Sequence, residues 1–273
     1  MTKPATDEAS IDVFFIGVGK CGTSWIYRHL TRRGDIGVPE IKEPYVLNNS
    51  PEDQAAVVAK LYGSKRPRCD FSNVYYWDES IPAKVIENNP NAKIVLTVRK
   101  PSKRIASHFA FLQRNGEHVD STVGEYLAAG DPHELVARSD YQRIFDRFSE
   151  VVDSDRILVL SLEQLADDVQ TYADRLAEFL EVETRVVDAM DTEKVLGRSS
   201  ARFPAVSRMA KKAAEVLREQ GYLKVLSRFK ESALIRRALF QQVEGAQDQD
   251  VRWPAEVELL DSQYAEFLAA HGS

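Results

Sequence analysis

Four consecutive apolar residues, Val13-Phe14-Phe15-Ile16, run directly into Gly17-Val18-Gly19-Lys20-Cys21-Gly22-Thr23-Ser24. Trp25, Ile26, His29 and Leu30 then recur at helical spacing. An uninterrupted apolar run of this length suits a strand buried on both faces, so the stretch predicts a strand, a tight glycine turn and a helix. Ile94-Val95-Leu96-Thr97-Val98 and Ile157-Leu158-Val159-Leu160 read as further buried strands, and Arg68-Cys69-Asp70-Phe71 is strand-like. Ile36-Gly37-Val38-Pro39 predicts a short edge or second strand. Helical patterns cover residues 51–62, 81–87, 101–113, 123–129, 134–148 and 169–180, with Arg32-Arg33-Gly34 closing the first helix. Asn89-Pro90-Asn91 reads as a turn, and Glu163-Gln164-Leu165 as another. From Pro204 the pattern is helical almost to the end, with breaks near Gly221, Gly245 and Pro254.

Strands alternating with helices imply an α/β fold of three layers, α/β/α, around a mostly parallel sheet. Ligands of such sheets sit beyond the carboxyl ends of the strands, where the loops of interest here can converge. Residues 1–10 are small and polar and are expected to be disordered. No shift in composition marks a second domain, so residues 11–273 are expected to form one domain with a helical part from about residue 204. The net charge of -6 argues against a general nucleic-acid binder but permits a small polyanion held by a local cluster of Lys and Arg. The two cysteines, Cys21 and Cys69, fit neither a disulfide framework nor a metal-ligand spacing. No carboxylate set marks a metal site. The opening MTKPATDEAS has no apolar signal core and no run approaches a membrane span, so a cytoplasmic setting is expected.

The glycine turn points free backbone N–H groups and the positive end of a helix at one place, which suits a phosphate. Laid on G-x-x-x-x-G-K-[ST], Gly17, Gly22 and Ser24 fit, but Thr23 stands where the lysine belongs. Lys20 lies three residues earlier, inside the turn, and would reach a different atom. The anion expected there is therefore not a magnesium-bound γ-phosphate. A P-loop kinase acting on a small molecule with Mg-ATP is the alternative reading of the same strand, turn and helix. The second anchor is Arg99, at a strand end where a guanidinium can fork onto phosphate oxygens. Ser107 follows eight residues later, about two helical turns on. Lys100 and Lys103 read as a solvated helix start.

With both anchors in place, the chain resembles the sulfotransferases that use 3′-phosphoadenosine-5′-phosphosulfate (PAPS), nearest their glycan-type and bacterial branch. Gly17 to Ser24 matches that family's 5′-phosphosulfate loop, and Arg99-x-Pro101-x-x-Arg104-x-x-Ser107 its 3′-phosphate motif. Lys42-Glu43-Pro44-Tyr45, Asp70-Phe71-Ser72 with Tyr75, and Ser139-Asp140-Tyr141 fall in the family's order, and the likeness covers about residues 14–202. The resemblance implies a sulfotransferase fold akin to the P-loop nucleotide hydrolases. It also implies transfer of a sulfonate from PAPS to a hydroxyl, less readily an amine, of a sugar, lipid or small natural product. Adenosine 3′,5′-bisphosphate would be the other product, and no metal would be needed. By position, the nucleotide would be held by Gly19, Lys20, Cys21, Gly22, Thr23 and Ser24 at the 5′ side and by Arg99 and Ser107 at the 3′ side. Ser200 and Arg202, in a late loop at 196–202, would approach the adenosine. Lys20 would contact the sulfonate, Glu43 would be the general base, and Lys42 would help neutralise the donor. One departure is Phe71, at a place where the family often carries a lysine. The five histidines (His29, His108, His118, His133 and His271) do not follow strands and read as structural or exposed. Tyr45, Tyr75, Tyr76 and Trp77 are candidates for stacking on an acceptor, and the helices after residue 204 for capping its cleft or for self-association.

Overall fold

Apolar runs that need cover on both faces find it in a four-stranded parallel sheet. The computed structural model describes residues 9–118, 120–187 and 251–272, and the backbone of 199–201 and 240–242. The expectations for residues 1–8, for Arg202 and for most of the helical stretch after residue 204 lie outside the described residues. The elements are β1 (Val13–Gly17), α1 (Thr23–Arg33), α2 (Pro51–Leu61), β2 (Cys69–Asp70), α3 (Ile81–Asn88) and β3 (Lys93–Val98). There follow α4 (Pro101–Arg114), α5 (Val123–Ala128), α6 (Tyr141–Ser149), β4 (Ile157–Ser161), α7 (Leu162–Asp167) and α8 (Val169–Phe179). Last come β5 (Ser199–Ala201), β6 (Phe240–Gln242) and α9 (Ala255–His271). Two compact units divide them: the first takes Met1–Pro101, Ala137–Val195 and Leu259–Ser273, the second Ser102–Val136 and Leu196–Glu258.

In the first unit the strand order is β2-β1-β3-β4, all parallel, with Phe14 opposite both Asp70 and Ile94, and Ile94 opposite Ile157. Alternate side chains go to opposite faces. Val13, Phe15, Val95 and Leu160 pack with Trp25, Ile26 and Leu30 of α1 and Tyr172 and Leu176 of α8. Phe14, Ile16, Ile94, Leu96 and Val159 pack with Val58 of α2, Val85 of α3, and Ile144 and Phe148 of α6. This is the three-layer α/β/α arrangement that the alternation of strands and helices implies. Each such side chain contributes about 1.5–3 kcal/mol when taken fully from water. The sheet's carboxyl edge is thereby fixed as the place where the turns after β1, β2 and β3 emerge.

In the second unit Ile105, Phe109 and Leu112 of α4 meet Tyr126 and Leu127 of α5, with Leu135 and Val257. Thr122 and Glu125 form a reciprocal cap at the start of α5. Arg104 is fully buried, and its Nη1 donates to the Leu135 carbonyl at 2.9 Å. β5 and β6 pair antiparallel, Ser200 opposite Gln241.

Three local expectations change. Residues 36–39 form no strand: pairing is confined to a single parallel bridge between Gly37 and Arg68. Pro39 removes the next donor a strand would need. The helix expected over 134–148 is interrupted, because Asp140 turns its carboxylate onto the Arg143 N–H at 3.1 Å and so starts α6 one residue later. Residues 163–165 are helical rather than a turn, since Ser161 and Gln164 cap each other across the start of α7. Among the described residues no helix is long and apolar enough to cross a membrane.

Candidate functional site

The turn after β1 is shaped by close approach. Gly17 has φ of 126°, and a Cβ there would lie 2.6 Å from the Tyr76 ring and 2.8 Å from the Asn73 carbonyl. Its carbonyl accepts from the Thr97 hydroxyl at 2.8 Å, and the Val18 N–H returns to the Thr97 carbonyl at 2.8 Å. Gly22 sits at φ 94° as the residue before α1 and offers no side-chain cap, and no acidic residue stands in the helix's first turn. The opening amides of α1 thus take no cap from the residue before them, and the helix dipole adds positive potential there. Lys20 occupies the same turn at φ 77°. A non-glycine residue in that left-handed region costs about 1–2 kcal/mol and is characteristic of functional turns.

Glu43 lies on a second strained segment, at φ 66°, with Tyr45 at φ 51°. Its carboxylate accepts from Lys42 Nζ at 3.1 Å through Oε1 and from the Tyr45 hydroxyl at 2.9 Å through Oε2. Sequence reading missed the Tyr45 contact, although a tyrosine two residues beyond an acidic residue was there to be seen. The segment is bound to the end of β2. Tyr45 N–H donates to Ser72 Oγ at 3.0 Å, and Leu47 N–H donates to the Tyr75 hydroxyl oxygen at 2.9 Å. Both hydroxyls donate in turn to Asp70, Ser72 at 2.5 Å and Tyr75 at 3.2 Å. Burial raises the Asp70 carboxyl to about 7 despite these donors, which pull it the other way. Phe71 is buried and stacked on Phe15, with ring centroids 4.2 Å apart, so the place of the family lysine is apolar.

Arg99 follows β3 and is half-buried, and its carbonyl accepts from the Tyr141 hydroxyl at 2.6 Å. Lys100 is exposed; its amide donates to Glu163 at 3.1 Å, and its ammonium lies 3.4 Å from Asp261. Lys103 is exposed as expected. Ser107 belongs to the second unit, half-buried on α4. Ser200 is described only as backbone in β5, and Arg202 lies outside the described residues. Lys20, the Glu43 segment and Arg99 are therefore carried by turns at one edge of the first unit's sheet. The histidines take structural places: His29 stacks on Trp25, His271 on Phe145, and His108 Nδ1 meets Arg104 Nη2 at 3.0 Å. Tyr75 and Tyr76 are core residues, and Arg138 covers the Trp77 ring at 4.8 Å. Among the described residues no three His, Cys, Asp or Glu side chains gather as a metal site needs.

The model of one family, the sulfotransferase domain, matches residues 10–222. Among solved structures, a sulfotransferase from Alicyclobacillus acidocaldarius superposes with a TM-score of 0.60 at 20% identity, over 71% of this chain and 87% of that one. The sulfotransferase domain from the Synechococcus PCC 7002 olefin synthase gives 0.50 at 13% identity, over 97% and 98%. The sulfotransferase domain from the curacin biosynthetic pathway gives 0.53 at 13% identity, over 94% and 98%. These likenesses concern the fold. No curated protein sequence matches significantly.

Proposed function

The chain belongs to the sulfotransferase domain family, whose enzymes move a sulfonate from PAPS to an acceptor, and from that premise we propose how its own residues divide the work. The acceptor is a hydroxyl on a sugar, lipid or small natural product. Glu43 takes the hydroxyl proton as the acceptor oxygen bonds to sulfur. Lys20 supplies positive charge where the bond from sulfur to the 5′-phosphate breaks, the place at which a preorganised charge lowers the barrier most. Lys42, paired with Glu43 at 3.1 Å, adds to that charge. The turn Gly19, Lys20, Cys21, Gly22, Thr23 and Ser24 grips the 5′-phosphate with amides and hydroxyls. Arg99 and Ser107 grip the 3′-phosphate, and Ser200 and Arg202 approach the adenosine. Such a reaction resembles phosphoryl transfer in that the protein chiefly positions partners and stabilises charge.

The observation that carries this reading is the uncapped start of α1 beside Lys20, within a chain whose family match spans both nucleotide motifs. Calorimetry with adenosine 3′,5′-bisphosphate and with Mg-ATP tests it: the bisphosphate is expected to bind and Mg-ATP to fail. Tight, magnesium-dependent ATP binding would favour the kinase alternative. Lys20→Ala is expected to lower sulfonate transfer by about 10²- to 10³-fold, and an unchanged rate removes Lys20 from the reaction.

A further inference from the structure

Two amides of the segment that follows Glu43 are led to a single buried carboxylate. Tyr45 and Leu47 reach it through the hydroxyls of Ser72 and Tyr75. Every group facing Asp70 in this network is a donor. An ionised carboxylate accepts all of them; an amide in its place would set its own N–H₂ against them. The residues so tethered include Tyr45, whose hydroxyl holds Glu43 Oε2 at 2.9 Å. The chain from Asp70 to the carboxylate of Glu43 is thus continuous: carboxylate, Ser72 hydroxyl, Tyr45 backbone, Tyr45 hydroxyl.

We propose that Asp70 is a positioning residue for sulfonate transfer, holding the Glu43 segment in its left-handed backbone through Ser72 and Tyr75. It touches neither donor nor acceptor. The proposal rests on the reading of Glu43 as the base. A carboxylate displaced by an ångström no longer meets the acceptor hydroxyl, and misplacement on that scale costs about 10²-fold in rate. Carrying the anchor on β2 ties the base to the sheet, because Asp70 is in register with Phe14 of β1.

The test uses the full-length chain, with Asp70→Asn, Tyr75→Phe and Glu43→Gln compared to the parent. Asp70→Asn is expected to lower kcat by about 10- to 100-fold while affinity for adenosine 3′,5′-bisphosphate stays within about two-fold. Hydrogen exchange is expected to quicken at the amides of 45–47 and to stay unchanged along β1 and β3. Tyr75→Phe, which keeps its ring and loses one link, is expected to move both readouts the same way by less. If Asp70→Asn does not fold, Tyr75→Phe and Ser72→Ala carry the same two readouts. Unchanged exchange at 45–47, or unchanged kcat, overturns the proposal. So does a loss of nucleotide affinity with faster exchange across the whole sheet, which is a merely structural effect. Glu43→Gln separates the two readings. If it stops turnover while Asp70→Asn does not, Glu43 stands as base and Asp70 falls. If it leaves turnover intact, the base assignment falls first and the positioning role falls with it.

Discussion

The turns at the ends of β1 and β2 solve one problem in opposite ways. Each must satisfy a run of backbone N–H groups that no strand or helix can use. At the end of β2 the run is closed from within: the amides of Tyr45 and Leu47, brought there from earlier in the chain, reach Asp70 through Ser72 and Tyr75. After β1 the residue that precedes α1 is Gly22, which gives the helix start no side-chain cap. An internal carboxyl group fills one corner, and an anion from outside is the proposed occupant of the other. On the proposed function, the difference separates a corner that must stay put, because it positions the proposed base, from one that must accept and release a ligand at every turnover.

The sharpest way to break this comparison is at the base. Glu43→Gln is expected to cost about 10²- to 10⁴-fold in turnover with nucleotide affinity kept, measured by steady-state kinetics beside calorimetry. Full turnover would mean that the closed corner positions nothing.

Next in size is the acid–base behaviour of the internal anion. Burial lifts the folded Asp70 to about 7 from an ordinary 3.8, so the unfolded chain ionises first as pH rises. Stability from the neutral carboxyl is therefore full below pH about 4 and is lost by about pH 7, a swing of up to about 4 kcal/mol. Cys69, Tyr62 and Tyr75 beside it stay neutral through this window, since burial and the Asp70 charge raise all three. Urea melts across that range should show the parent losing ground against Asp70→Asn, which cannot titrate. A constant difference between the two would show that Asp70 does not change its charge there.

The open corner is sharpened by Gly22→Ala. At φ 94°, with a new Cβ 3.1 Å from Leu162 Cδ1, the substitution strains the turn that aims the amides of α1. It is expected to cost about 1–3 kcal/mol of stability and to weaken nucleotide binding, read by thermal melts and calorimetry. The smallest effect belongs to Lys42→Met. Its pair with Glu43 is partly exposed, with side-chain exposures of 21% and 29%, so solvent screens it and stability should move by under about 1 kcal/mol. A larger loss would mean that Lys42 helps to hold the segment as well as the charge.

Much of this was legible along the chain because the signals are local. Val13 to Ile16 is apolar without interruption, so it had to be covered on both faces; Gly17 and Gly22 mark backbone that side chains cannot follow; Pro51 and Gly34 punctuate helix ends. Those patterns determined the parallel sheet, the turn at its edge and the presence of Lys20 within it, since each depends on residues only a few positions apart. What tertiary structure alone decided involves partners distant in sequence. Asp70 reads as a strand residue until the segment from Tyr45 to Leu47 folds back on it. Arg104 reads as part of the 3′-phosphate motif until its guanidinium is buried against the Leu135 carbonyl, and the 36–39 segment reads as a strand until it finds one residue to pair with. The physical reason is common to all three. Burial and hydrogen-bond partnership are properties of the space around a group, and only folding brings that space together.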